Sequence, residues 1–421
     1  MKWIILSVLA LVQPLYAIPN QVSSVVNQAE SPLNGQEIAS QLLSSNLWQG
    51  EEELPGKWQE ENQIAGAKTS HLLARPKLFD LDVILLRATH RDDGLESITA
   101  TFADAGSYFP YLTQRPGVPI ETQRQELAEK QDKFNEFYSE TFEKLKTHLS
   151  ERSKSKGKES RWGLSRTLRA DVLVYDLGVV SAVLFTENGR LLRLTLTRDR
   201  NLYRKGWLDQ KRAKMSGNAL TEHYEKQLIE RENGDHFIQG IHTVPQGYRP
   251  YCGLNSLAMA AQYFGLHIDE DWMAVAGGFQ NTGSAAGSNM LGLYNATARE
   301  ARLSLTRETK FKRSKARSLI KSGLPVVVWR KFDFKRNLTH VRFARSYARD
   351  ATAKLPEPDE ADRATWPGEK HPVHASVIIG FNDERKEVIF LESWAAQAIP
   401  RRMRYEELEE TATMAFYFEG K

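Results

Sequence analysis

The chain has very little cysteine: Cys252 is the only one in 421 residues, so it cannot form a disulfide within its own chain. Charge of one sign is lacking too. The formal net charge is only +4, one less once Lys2 is removed with a leader, which is too small to point to a nucleic-acid partner. The basic runs at 152–158 and 310–317 read as a solvated linker and a solvated helix face. Long hydrophobic runs are also missing. The apolar stretch at 3–12 is too short to span a bilayer, and no later segment approaches about 18 uninterrupted apolar residues. With Lys2 before it and Leu15-Tyr16-Ala17 after it, that stretch reads as an export signal over residues 1–17. The expectation is a soluble mature protein without a membrane span, secreted or periplasmic. At 41% hydrophobic and 26% charged residues, the rest has the composition of a folded protein.

A lone thiol in an exported chain is inert, intermolecular or reactive, and its surroundings favour the last. Leu254, Leu257, Ala258 and Ala261 follow at i, i+3, i+4, i+7, Gly265 supplies a stop, and Pro250 cannot extend a helix backward. Cys252 therefore falls in the first turn of a helix. There, unpaired N–H groups and the positive dipole end favour a thiolate. Gln246 lies six residues earlier in a loop, where its amide and the Cys252 N–H can together receive a developing oxyanion.

The run Tyr251-Cys-Gly-Leu-Asn-Ser-Leu-Ala-Met-Ala-Ala-Gln-Tyr-Phe-Gly265, with Gln246 ahead of it, resembles the papain-like cysteine peptidase superfamily. Within that superfamily it looks most like the bacteriocin-processing (double-glycine leader) branch and its secreted relatives. The resemblance implies a Gln oxyanion hole, a Cys at the head of the central helix, and a His downstream on a strand. It also implies an Asn or Asp just before Ser-Trp.

A base is present downstream. Residues 373–380 and 387–394 are two apolar runs joined by the polar turn 382–386, which reads as an antiparallel hairpin. With the turn centred near Asp383 or Glu384, His374 pairs with position 392 or 394. In either register His374, Glu392 and Trp394 share a face. A carboxylate there can fix the imidazole tautomer and stabilise the imidazolium beside a thiolate. Glu392 stands where the resemblance calls for Asn or Asp, so the carboxylate sits on a longer stem. His371 and His374 are three apart on opposite faces of an extended segment with no third ligand, which argues against a metal pair. No cofactor is implied.

The expected fold class is α+β: a papain-like core, a helix packed on an antiparallel sheet, preceded by a smaller α+β domain. The divisions read as a signal at 1–17, a polar segment at 18–75, an α+β domain of unknown role at 76–236, and the catalytic domain at 237–421. In the first domain, strands at 81–86 and 97–102 and at 171–175 and 181–185 flank a long helix at 120–150. The helix carries a stripe of Leu127, Phe134, Phe137, Phe142 and Leu145, and Asn188-Gly189 turns the chain into a strand at 191–197. The Gly-rich run 277–288 lacks a phosphate-loop ending and reads as a lip near the cleft.

The expected activity is cysteine hydrolysis of a peptide or protein substrate, using Cys252, Gln246, His374 and Glu392. Two alternatives stand beside it. One is an acyltransferase like phytochelatin synthase, which has a similar Cys-Gly-Leu-x-Ser-Leu-Ala-Met run. The other is a binding module without catalysis. The first domain reads as a removable cover or, with its hairpins, as a permanent part. Oligomeric state is not legible.

Overall fold

Alternating apolar and polar positions in the first half build one large antiparallel sheet. The computed structural model describes residues 32–420 apart from 65, 93, 110–116, 187–188, 248, 280–287 and 395–398. The expected signal 1–17, Asn188 of the expected turn and most of the run 277–288 lie outside the described residues.

The strands of the first half are β1 (Trp58–Ile64), β2 (Ala67–Leu72), β3 (Lys77–Leu78), β4 (Leu81–Asp82), β5 (Leu85–Arg91) and β6 (Gly94–Asp104). After them come β7 (Lys158–Trp162), β8 (Ala170–Asp176), β9 (Ser181–Phe185) and β10 (Leu191–Thr197). The short β3 and β4 pair with each other, and the other eight form a sheet in the order β1-β2-β5-β6-β10-β9-β8-β7. Two four-stranded meanders thus meet where β6 pairs antiparallel with β10. Residues 58–64 and 67–72, read from composition as part of a polar segment, are strands of this sheet. Their polarity reflects an edge position, where β1 is largely exposed. The helix Ile120–Ser153 joins the meanders. Its buried positions Phe134, Tyr138, Thr141, Leu145 and Leu149 follow the 3.6 period, whereas Phe137 of the expected stripe is exposed.

The strands of the second half are β11 (Leu228–Glu230), β12 (Asp235–Ile238), β13 (Ser304–Glu308), β14 (Val326–Lys331), β15 (Val373–Asn382), β16 (Glu387–Leu391), β17 (Arg401–Arg404) and β18 (Ala412–Glu419). They form a second sheet in the order β11-β12-β15-β14-β18-β13, with β16 on β15 and β17 on β16. The helix Cys252–Tyr263 lies against β15 and β14. This is the expected α+β class, with a helix packed on an antiparallel sheet.

The first sheet is buried on both faces. Ala88, Ile98, Ala100, Leu192, Leu194 and Leu196 pack with Phe134, Leu145 and Leu149 in one core. Val172, Val183, Phe185 and Leu191 instead belong to a core continuous with Phe264, Leu266 and Trp272 of the second half. A buried carboxylate ties the halves further. Glu300 accepts from the N–H groups of Leu164 at 2.7 Å and Ser165 at 2.5 Å through Oε1, and from Trp207 N–H at 3.1 Å through Oε2. Bonds of this charge-assisted kind each contribute about 1.5–3 kcal/mol.

Candidate active site

Cys252 is the first residue of its helix, with Tyr251 at the N-cap, and the helix stops at Phe264 before Gly265, whose φ is +88°. Leu254, Leu257, Ala258 and Ala261 are all buried, as their spacing predicts. The thiol is half-buried. Burial pushes its pKa up. The hydrogen bond and charge of His374, together with the backbone groups of Ala375 and Gly253, outweigh that and hold it below the ordinary thiol value.

His374 stands near the start of β15, and its Nε2 lies 2.5 Å from Glu392 Oε2. With Nε2 committed to the carboxylate, Nδ1 is the ring nitrogen left for the sulfur. Burial disfavours the imidazolium. The Glu392 charge and the hydrogen bonds to Cys252 and Glu392 more than offset that and raise the pKa to about 9. Glu392 is fully buried, which opposes ionisation, yet His374, Arg330 and Arg401 hold it at about 2. The imidazole is also shielded: the Trp394 ring centroid is 4.7 Å away and that of Phe332 5.2 Å away.

The hairpin register explains how Glu392 reaches His374. Near the turn, Asn382 pairs with Glu387 and Gly380 with Ile389; past Ile379 the register slips, so that Ile378 pairs with Phe390 and Val377 with Leu391. Ile379 is thus one extra residue on β15. Continued upward, the shifted register sets Ser376 opposite Glu392 and His374 opposite Trp394, on one face. Without the slip, Ser393 would occupy that face and Glu392 would point away, because one residue of offset exchanges the faces.

Arg330 and Ser376 are site residues that sequence reasoning missed. Arg330 Nη2 donates to Glu392 Oε1 at 2.7 Å, Ser376 Oγ donates to the same oxygen at 3.0 Å, and Arg330 Nε donates to Ser376 Oγ at 3.2 Å. Arg330 is opposite His374 in the β14–β15 pairing, so both lie on the same face. The pair of donors anchors one oxygen of the longer Glu stem and leaves the other for His374. A signal did exist: Arg330 keeps the parity of the buried Val326 and Val328, and a charge on a buried face needs a partner. Its partner Glu392 lies 62 residues away in sequence, which no local pattern identifies.

Gln246 lies in the loop before the helix. Its N–H donates to Ser393 O at 2.8 Å, and Ser393 Oγ donates to its Oε1 at 2.8 Å, which orients the amide. One Nε2–H then donates to Arg249 O at 3.2 Å, and the second remains for another acceptor. The loop is therefore bonded to the residue next to Glu392. His371 is half-buried and bonds Gly368, away from this group. Among the described residues no group of three or more His, Cys, Asp or Glu is placed to hold a metal ion.

The assembled groups are a thiol of lowered pKa, an imidazole of raised pKa and an ionised carboxylate, a set suited to nucleophilic acyl chemistry. Residues 234–417 match the Peptidase_C39 like family. Two solved structures are similar to part of the chain. One is a C39-like peptidase from Bacillus anthracis, 14% identical, covering 44% of this chain and 97% of that one at a TM-score of 0.30. The other is the peptidase domain of Streptococcus ComA, a bi-functional ABC transporter involved in a quorum sensing pathway. It is 14% identical and covers 43% of this chain and 99% of that one at a TM-score of 0.27. No curated protein matches the chain. The resemblance carried by the Cys252 segment thus extends over residues 234–417, which are similar to the C39-like peptidases.

Arg330 lends itself to a direct test. In Arg330→Met the cation that opposes the imidazolium is gone, so the basic limb of the pH–kcat profile moves upward. The looser Glu392 should lower kcat about tenfold, equivalent to about 1.4 kcal/mol, with KM nearly unchanged. A fall in melting temperature with an unmoved pH profile would mark Arg330 as structural only.

Proposed function

We propose that the protein is an exported cysteine peptidase that cleaves peptide bonds with Cys252, His374 and Glu392, aided by Gln246. The observation that carries this reading is the unbroken chain of contacts from the Cys252 thiol through His374 to Glu392. Export rests on the signal read at residues 1–17.

In the first step the Cys252 thiolate attacks the scissile carbonyl carbon, and the C=O π pair moves onto oxygen. The Cys252 N–H and the free Gln246 Nε2–H are the donors for that oxyanion. As the tetrahedral species collapses, the C–N bond breaks, and His374 gives the Nδ1 proton to the departing amine. The thioester that remains is attacked by water, whose proton passes to His374. Collapse then expels the thiolate and releases a carboxylic acid. Glu392 stays ionised throughout and keeps the imidazolium oriented.

Activity should need both the thiolate and the imidazolium. It should rise through an acid limb below the free thiol value of about 8.5, and fall as pH rises through about 9, where His374 loses its proton. The test combines that pH profile with an epoxide or vinyl-sulfone peptide probe, mapped to the residue modified. Modification at Cys252 together with free peptide acids as products fits the peptidase. Products that incorporate an added amine or thiol would replace it with an acyltransferase. A thiol unreactive up to pH 9 would leave a binding module.

A further inference from the structure

The Gln246–Arg249 turn of the site is connected to the N-terminal sheet by buried charges. Arg249 N–H donates to Gln246 O at 3.2 Å, and its Nε donates to the same oxygen at 3.4 Å. The guanidinium stacks 4.7 Å from the ring of Tyr251, the residue at the N-cap position of the Cys252 helix. Its Nη2 donates to Glu270 Oε1 at 3.0 Å and its Nη1 to Asp271 Oδ1. From the other side, Arg193 of β10 donates to Asp271 Oδ2 at 3.2 Å and to Asp269 Oδ2 at 2.6 Å. Arg193 is only 6% exposed, and its Nε is held by Thr101 of β6 at 3.2 Å. Arg87 of β5 reaches Asp269 at 3.7 Å.

The positions of these charges are informative. Apolar packing already joins the two halves over a wide continuous core. Burying several ions adds little net stability over apolar contacts of the same volume, so their yield is geometry: each fixes where its partner sits. Here the fixed point is the turn from Gln246 to Arg249, which ends three residues before Cys252.

We infer that Asp271, held by Arg193 of the N-terminal sheet, is a positioning residue for the oxyanion side of the site, fixing Arg249 and through it the Gln246 amide. The N-terminal sheet is on this view a working part of the site. The inference rests on the cysteine-hydrolase reading for its kinetic consequence, though not for its structural one.

The test uses full-length protein with Asp271→Asn, which keeps the shape and removes the charge. Loss of one oxyanion donor costs on the order of 100-fold or more in rate, so Gln246→Ala sets the ceiling. Asp271→Asn should lower kcat/KM about tenfold or more, and Asp271→Asn with Gln246→Ala should be no slower than Gln246→Ala alone. Alkylation of Cys252 by iodoacetamide, which needs no oxyanion hole, should keep its rate. The amides of Gln246 and Arg249, both hydrogen-bonded in the structure, should exchange faster with deuterium. Arg193→Met should reproduce this pattern, and Arg193→Lys should reproduce it more weakly and serves where Asp271→Asn does not fold. Losses that multiply with Gln246→Ala, or unchanged exchange at the two amides, would overturn the inference. If the wild-type protein hydrolyses no peptide, the peptidase reading fails by itself, and the exchange measurement still decides for or against the link.

Discussion

Cys252→Ala is expected to remove peptide hydrolysis almost entirely, on the order of 10⁴-fold or more in kcat, and His374→Ala to do nearly the same. The two should not add, because each leaves its partner without a function: no thiolate to pair, or no acid for the leaving amine. Glu392→Gln should be milder. The amide still accepts from Arg330 and Ser376, whose bonds to Oε1 are 2.7 and 3.0 Å, so the side chain keeps its place. What it loses is the negative charge that holds His374 at about 9, so the imidazolium should deprotonate at lower pH and the basic limb should move down. Arg330→Met moves the same limb up, and the opposite signs separate the two residues. The measurement is kcat against pH for the wild type and these variants, with melting curves as a folding control. Full hydrolysis by Cys252→Ala would end the peptidase reading.

The parts of this site visible in the sequence are those set by local rules. Apolar spacing and a flanking Pro and Gly mark the Cys252 helix; a polar turn between β-branched runs marks the hairpin. The shared face of His374, Glu392 and Trp394 also follows from period two, although the structure reaches it through a slip at Ile379 that the sequence does not announce. Residues placed by distant pairing were hidden. Arg330 meets Glu392 only because β14 lies beside β15, and Ser393 reaches Gln246 across 147 positions of chain. The N-terminal sheet hid its interface in another way. In Leu-Leu-Arg193-Leu-Thr195-Leu-Thr197 the alternation reads as a half-solvated strand, yet all seven residues are buried. Arg193 is turned toward Asp269 and Asp271, Thr195 toward Thr99 and Thr197 toward the Glu96 carbonyl instead of water, and period-two logic cannot distinguish solvent from a polar partner.

That buried polar face governs what happens when the first half is cut away. A fragment beginning at Gly234 is expected to be insoluble, or compact without a cooperative melt, and inactive. Removal of the N-terminal part exposes the side of the core where Phe264, Leu266 and Trp272 pack against Val172, Val183 and Phe185. It takes Leu164, Ser165 and Trp207 from Glu300, leaving a buried carboxylate without the three donors that hold it. It also takes Arg193 and Arg87 from Asp269 and Asp271. Breaking one buried pair by removing a single partner costs about 3–5 kcal/mol, against a total stability of about 5–15 kcal/mol for a typical protein. Two such losses, about 6–10 kcal/mol, are comparable to that margin, and the exposed apolar face adds to them. A detachable cover would behave in the opposite way: its interface would be polar and wet, and its removal would free a folded enzyme. The decisive comparison sets calorimetric melting and peptide hydrolysis of the fragment beside those of the full-length protein. A soluble fragment that melts cooperatively and hydrolyses faster, with inhibition restored by the isolated first half, would make residues 32–233 a cover and defeat the view of one joined enzyme.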